Sequence, residues 1–418
     1  MSDTSSDTEV IALTKPRLPT LLVDTDSELG NMLTQMKSAK TIAIDAERAS
    51  GFRYGQKAYL IQIAVQNVGI FLLDTTIEYD SNLKTELEKS VNGKTWIIHA
   101  ASQDIPCLEE YGFRPQSLFD TELAGRLLGY PKVSLSTLCE SLLSLGLAKE
   151  HSAVDWSARP LPESWLNYAA LDVDVLFELA EVIEGELRKQ GRYEIAIQEF
   201  SHLTLPAEKT EKLERWRSVA GIHELKQVRT LTVVKSLWEA REKLAKEKDV
   251  APGRLIPDLS LVLLAKAAPK TKSELASLRS FTGRASRTYL DLWWAAFEAG
   301  MQTNDLVELK AKSGGIPNHR NWPNKFPEAN IRLQWMKRLL KILSDETRIP
   351  VENLIAPDLV RKICFEPPES TSRAIRNRLE AGSARKWQIE LVEPLLVEAL
   401  QKTELPPAEE EPTTSADS

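Results

Sequence analysis

The chain is poor in the residues that staple or metallate small domains. Among 418 residues there are three cysteines, Cys107, Cys139 and Cys364, and five histidines. Three widely spaced thiols give neither a disulfide framework nor a zinc-ligand spacing. No stretch approaches the ~18–20 uninterrupted apolar residues of a membrane span. The opening MSDTSSDTEV is polar and acidic, without the basic and apolar regions of a signal peptide. Also missing are a GxxxxGK(S/T) phosphate loop, a GxGxxG fingerprint and an HExxH helix. Nucleotide-hydrolysing motors, dinucleotide oxidoreductases and zinc proteases therefore lack their usual signals. No local signature pairs a serine or cysteine with a base. At 42% hydrophobic and 27% charged, the composition predicts a globular, cytoplasmic chain of two or three domains without membrane contact.

What is present is charge, unevenly spread. The formal net charge is −7, yet residues 221–390 hold 30 Lys and Arg against 20 Asp and Glu, net +10. Residues 1–220 hold 22 against 33, net −11. An acidic front with a basic back fits a metal-binding catalytic domain joined to nucleic-acid-binding modules. Solvated helical surfaces would give the same imbalance.

The front third alternates strand and helix signals. TIAIDAE (41–47), AYLIQIAV (58–65), GIFLLD (69–74) and TWIIH (95–99) are short β-branched runs suited to strands. Helical periodicity appears over 27–39, after His99, and from Pro162 to about Lys189. Together they predict an α/β domain with a mixed sheet. Beyond about Leu205 only amphipathic helix remains, punctuated by Pro and Gly. VAPGRLIPDLSLVLLAKAAP (250–269) recurs loosely as IPVENLIAPDLVRKICFEPP (349–368), which parses this half into two tandem helical modules joined by SGGIPNHRNWPNKFP (313–327).

Candidate chemistry lies in carboxylates. Asp45 and Glu47 stand two apart in a strand, so period-2 geometry puts both on one face, within reach of a shared cation. Two acids closing an apolar strand are costly to hold together unless a metal neutralises them; a solvated strand end is the plain alternative. Tyr168 and Asp172 stand four apart in a helix, one turn apart on one face, where a phenol can orient water beside a metal-holding carboxylate. Asp174 falls on another face and reads as a surface charge. Asp104 begins a helix, where a cap or first-turn acid is an equally good reading, and Asp120 reads as an N-cap. Hard oxygen donors without a thiolate or histidine cluster match Mg²⁺ or Mn²⁺ rather than Zn²⁺. His99, at a strand end, is open to a packing role or a substrate contact, and Lys149 and Arg159 to a phosphate contact or loop anchoring. Of Trp293 and Trp294, one belongs to the core and neither is a clear stacking platform.

Taken in order, these segments resemble ribonuclease D. DAERASGFRYGQKAYLIQIAV resembles the family's Asp-x-Glu strand followed by the Leu-Ile-Gln strand. HAASQDIPCLEEYGFRPQSLFDTELAGRLLGY resembles its second motif, with Asp104 at the metal position and Gln103 where the family has a glutamine. DWSARPLPESWLNYAALDVDVL resembles the third, with Tyr168 and Asp172 at the Tyr-x3-Asp positions. The family is the tyrosine branch of the DEDD exonucleases. The resemblance implies an α/β RNase H-like exonuclease domain with mixed sheet, followed by two all-helical HRDC-like domains. It divides the chain into a flexible N-terminus (1–20), the exonuclease domain (21–205), a linker (206–218), an HRDC domain (219–302), a second linker (303–326), a divergent HRDC-like domain (327–402) and a disordered acidic tail (403–418).

The implied function is a two-metal-ion 3′-to-5′ exoribonuclease that releases nucleoside 5′-monophosphates from single-stranded RNA 3′ ends, tRNA precursors included. By the same resemblance Asp45 bridges two divalent cations, Mg²⁺ or Mn²⁺. Glu47 and Asp172 complete one site, Asp104 helps hold the second ion, and Tyr168 orients the attacking water. Two other readings stay open: a 3′-to-5′ DNA exonuclease, since these motifs do not report the sugar, and an inactive nucleic-acid-binding adaptor. Truncation after about Leu205 is expected to leave hydrolysis of short RNA intact.

Overall fold

The computed structural model describes residues 10–148, 154–206, 214–310 and 315–407. Lys149, the start of the N-terminal segment (1–9) and most of the acidic tail (408–418) lie outside the described residues.

The strands are β1 (Ile11–Leu13), β2 (Thr20–Val23), β3 (Thr41–Arg48), β4 (Ala58–Val65), β5 (Gly69–Asp74), β6 (Thr95–Ile98), β7 (Ser117–Asp120) and β8 (Leu145–Leu147). Six form one mixed sheet in the order β2-β5-β4-β3-β6-β7, and β1 pairs with β8 apart from it. Only β4 runs antiparallel to its neighbours. Every residue of β4 and β5 is buried, as a strand covered on both faces requires, so their sequences read as unbroken apolar runs. β3 sits between β4 and β6, with Asp45 opposite Gln62 and Glu47 opposite Leu60. The ladder becomes irregular between Glu47 and Arg48.

The helical run from Pro162 is two helices, Glu163–Asp174 and Leu176–Lys189, broken at Val175. No Pro or Gly marks the break. Arg17 accounts for it: its guanidinium donates to the Asp174 carbonyl (3.1 Å) and to the Asp174 carboxylate (2.9 Å), satisfying an acceptor the broken helix frees. Asp174 is thus not a surface charge. It is 5% exposed and held by Arg17.

The two helical units share one element order. A helix of 21 residues, Val228–Lys248 or Pro327–Thr347, leads into a single turn, Pro252–Leu255 or Val351–Leu354. A longer helix follows, Asp258–Ala267 or Pro357–Phe365. The two halves of the sequence repeat fall on these paired turns and helices.

Their cores differ. The first unit closes around its own cluster, with Trp216, Leu237, Phe281 and the fully buried Trp293. The second, including Trp322, Ile363 and Trp387, is continuous with the core of the sheet domain. Glu199 of the sheet domain accepts hydrogen bonds from Nε and Nη2 of Arg385 (2.6 Å each) and from the Trp387 indole N–H (2.7 Å). Gly129, at φ +83°, lies so close to Arg348 that a Cβ there would be 2.5 Å from that of Arg348, an approach only glycine permits. A cut after Leu205 would therefore expose part of the catalytic domain's own core, which counts against the expectation that the front half works alone. No helix among the described residues is long and apolar enough to cross a membrane.

Candidate active site

A cavity of about 290 Å³ opens at the end of β3 and is lined by Asp45, Glu47, Arg48, His99, Gln103, Asp104, Tyr168 and Asp172. Three elements meet there. β3 presents Asp45 and Glu47 on one face. The helix Ala101–Tyr111 brings Asp104 in its first turn, and the helix Glu163–Asp174 brings Tyr168 and Asp172 one turn apart. One carboxylate oxygen from each of Asp45, Glu47 and Asp172 lies within 4.8 Å of the others. Asp104 is offset from this trio and hydrogen-bonded to Asp45.

Asp120 fixes the Asp104 helix. Its carboxylate accepts the N–H groups of Ala100 (3.0 Å) and Ala101 (2.8 Å), and also caps its own helix through Glu122 (2.9 Å) and Leu123 (3.1 Å). Ala100 takes a left-handed conformation, φ 60°, which is unfavourable for a residue with a Cβ and is held by the Asp120 bond. His99 bonds Thr121 through Nδ1 (2.9 Å), and burial pulls its pKa down to about 4, so the ring is neutral at physiological pH.

The cluster repels itself. Burial first, then the neighbouring charges, pushes Glu47 and Asp172 well above the usual carboxylate range, and burial also raises Asp45. Asp104 is driven up to about 8 by burial and by the Asp45 charge. Four acids so placed suit a bound cation. The donor set is all oxygen, which matches a hard divalent ion. Gln62, fully buried and opposite Asp45 in the ladder, leaves both amide atoms without a protein partner, an orphaned polar group on the strand next to the acids. The residues present fit a divalent-metal site.

Raised carboxylate pKa values make a test. A group whose pKa is higher folded than unfolded stabilises the fold below its unfolded value and loses that contribution as pH rises through its folded one. In chelator, the melting temperature should therefore fall as pH rises from ~4 towards the value of about 8 for Asp104. Added divalent cation should flatten the fall, and a pH-independent metal-free melting temperature would contradict this picture of the cluster.

Arg48 escaped the sequence reading. Strand alternation turns residue 48 away from Glu47, but at the ladder irregularity its guanidinium reaches Asp104 Oδ1 (3.3 Å) and the Gln103 carbonyl (2.9 Å). An arginine directly after Asp-x-Glu was the only available signal. Gln103 is exposed at the cavity rim.

Arg159 does not line the cavity. It donates to both Asp74 oxygens (2.6 and 2.7 Å) and to the carbonyls of Trp156, Ala158 and Tyr59. Burial pushes the Asp74 carboxyl up, but the Arg159 and Thr76 hydrogen bonds outweigh it and hold the pKa below its ordinary value. Loop anchoring is the role the contacts describe. Arg159→Ala should cost about 3–5 kcal/mol, as removal of one partner strands a buried charge, without raising KM for RNA in the folded enzyme. A raised KM at an unchanged melting temperature would return Arg159 to the substrate.

The chain is similar to known proteins over most of its length. Residues 21–188 match the family model of a 3′-5′ exonuclease and residues 230–296 that of the HRDC domain. Residues 315–400 match a model described as a 3′ to 5′ exonuclease C-terminal domain, which gives the second helical unit a family description of its own. The chain is 29% identical over 346 residues to ribonuclease D of Bartonella henselae, covering 81% of this chain and 80% of that protein. To ribonuclease D of Nitrobacter hamburgensis it is 25% identical over 374 residues, 88% and 92% of the two chains. A crystal structure of a protein from Bifidobacterium adolescentis superposes with a TM-score of 0.84 at 33% identity, over 94% of this chain and all of that one. Escherichia coli RNase D, described as an exoribonuclease involved in structured RNA processing, shares the fold, with a TM-score of 0.67 at 22% identity over 92% and 99% of the two chains.

Proposed function

The chain belongs to the ribonuclease D family and is a 3′-to-5′ exoribonuclease of RNA processing; from that premise we propose that Asp45, Glu47, Asp104, Tyr168 and Asp172 carry the reaction. The observation that supports this most is the convergence of the Asp45, Glu47 and Asp172 oxygens within 4.8 Å. Asp45, Glu47 and Asp172 would hold one divalent cation, Mg²⁺ or Mn²⁺, and Asp104 with Asp45 would help hold a second. Bound there, such ions supply Lewis acidity to the attacking and leaving oxygens of an in-line displacement.

The protein's own groups do the positioning. Burial and the Asp172, Glu47 and Asp45 charges push the Tyr168 phenol above its ordinary pKa, so it stays protonated and donates to Asp172. Its oxygen then accepts a hydrogen bond from the attacking water, fixing that water's orientation. Arg48, tied to Asp104 and the Gln103 carbonyl, holds the Asp104 helix turn against β3. Neutral His99 and exposed Gln103 line the cavity where the terminal nucleotide sits. The product is a nucleoside 5′-monophosphate, the substrates are single-stranded 3′ ends such as those of tRNA precursors, and the reaction is cytoplasmic.

The test is the release of labelled 5′-mononucleotides from the 3′ end of single-stranded RNA, with Mg²⁺ and with chelator, beside a 2′-deoxy oligomer of the same sequence. Stepwise, chelator-sensitive release that prefers RNA is expected. Internal fragments, or equal rates in chelator, would sink the proposal.

A further inference from the structure

The segment joining β3 to β4, residues 49–57 (ASGFRYGQK), starts immediately after Arg48 and contains two glycines, Gly51 and Gly55. Gly51 has φ +80°. Phe52 and Arg53 both donate to the Ala49 carbonyl (3.0 Å each), which turns the chain tightly. Such a loop has little stiffness of its own, and fixing it carries an entropic cost that its contacts must offset.

Those contacts come from the first helical unit, at the end of helix Val228–Lys248 and the turn after it. Ala251 N–H donates to the Phe52 carbonyl (3.0 Å) and Arg254 Nε to the Gly51 carbonyl (2.7 Å). The Arg254 guanidinium lies 4.1 Å from the centre of the Phe52 ring. Tyr54 donates through its hydroxyl to Glu242 (3.2 Å) and through its backbone N–H to Asp249 (3.4 Å), and its ring packs against the unit's own apolar cluster. Backbone carbonyls are gripped as well as side chains, so the path of the loop itself is set.

One residue carries the grip to the other side of the active site. Arg53 stands 3.6 Å from Asp249 through Nη1 and donates through Nε to Ser157 Oγ (2.6 Å). The neighbouring Trp156 is fully buried, with its ring 5.5 Å from Trp165 and 6.4 Å from Tyr168, centre to centre. A continuous set of contacts thus runs from Asp249 through Arg53 and Ser157 to the aromatic bed of Tyr168. A second set runs from Arg254 through Gly51 to the end of β3.

We infer that the first helical unit is a positioning element for the catalytic centre: it clamps the β3–β4 loop and, through Arg53, the turn beneath Tyr168, and so sets the turnover rate even on RNA too short to reach it. This rests on the exoribonuclease reading above. A unit that only gripped RNA would need none of these contacts with the loop. A unit that only packed would not need Arg53 shared between Asp249 and Ser157.

The experiment uses the full-length protein and the shortest oligoribonucleotide that the wild type degrades, beside a long single-stranded RNA. In the Arg254→Ala, Asp249→Ala double variant kcat on the short substrate should fall roughly 10–100-fold, the scale of a small misplacement of catalytic groups, with KM little changed. Arg254→Lys, which keeps the charge and a donor, should recover part of the rate. Combining Arg53→Ala with Asp249→Ala should cost less than the product of the two single losses, because the two share one link, while Asp249 also receives the Tyr54 N–H. Melting curves check folding, and Tyr54→Phe, which deletes only the hydroxyl given to Glu242, should show a smaller kcat loss if the double variant unfolds. Unchanged kcat on the short RNA, with or without a higher KM on the long one, overturns the inference while leaving the exoribonuclease intact. A wild type that degrades neither RNA removes the exoribonuclease reading and this inference with it.

Discussion

Asp45→Asn or Asp172→Asn is expected to leave a folded protein that releases no measurable mononucleotide. Each substitution keeps the side chain's shape and removes one of the anionic oxygens that meet within 4.8 Å. The loss should exceed the ~10–100-fold that follows removal of an outer-shell partner of a metal ligand, because a ligand itself is gone. Stability should move the other way. Both carboxylates are half-buried and raised in pKa by desolvation, and Asp172 is raised further by Asp45, so a neutral amide relieves repulsion in the metal-free protein. The melting temperature in chelator should rise, while the stabilisation that divalent cation gives the wild type should shrink. Activity assays and melting curves on the same preparations separate the two effects. Hydrolysis near the wild-type rate in either variant would remove that residue from the mechanism.

The parts of the site legible in sequence are those whose geometry is local. Asp45 and Glu47 share a face by strand alternation, and Tyr168 and Asp172 by one helical turn. Asp104 could be joined to them only through the family resemblance, since its place depends on β3 and β6 lying side by side and on Asp120, sixteen residues further on, capping its helix. What the sequence hid was set by contacts between distant residues. The break at Val175 and the burial of Asp174 both come from Arg17, which no pattern around position 174 reports. Arg48 joins the site at an irregular point of the β3–β4 ladder, where alternation stops being a guide. β2 and β7 are only four residues each, and unlike the equally short β6 they carry no paired isoleucines to mark them.

The helical half shows a further limit. Two units with matching element order differ in what their apolar faces meet: one closes on itself, the other on the sheet domain. A hydrophobic position that faces a neighbouring domain has the same periodicity as one that faces its own core. Only the assembled structure separates a unit with a core of its own from one that completes the core of the catalytic domain. The consequence is chemical as well as structural. The second unit contributes Arg385 and Trp387 to Glu199, on the helix Tyr193–Leu203 that packs beside β7. β7 ends at Asp120, the residue that caps the Asp104 helix.

Tyr168→Phe keeps the ring against Trp156 and deletes only the hydroxyl. The expected effect is a fall in kcat on the order of 10²–10⁴-fold, the range for a positioned proton-handling or orienting group. KM and the melting temperature should stay close to the wild type. Two arguments place the loss in the orientation of water rather than in base catalysis. The phenol is pushed above its ordinary pKa by burial and by three neighbouring carboxylates, so the phenolate is a negligible species at neutral pH. The hydroxyl proton is also committed to Asp172, which leaves the oxygen as an acceptor. The pH–rate profile of the variant should therefore keep the wild-type shape at a lower height, because no titrating catalyst has been removed. A profile that loses a limb would instead make Tyr168 the base, and a fall of only a few-fold, with chemistry shown to be rate-limiting, would reduce it to a packing residue over Asp172.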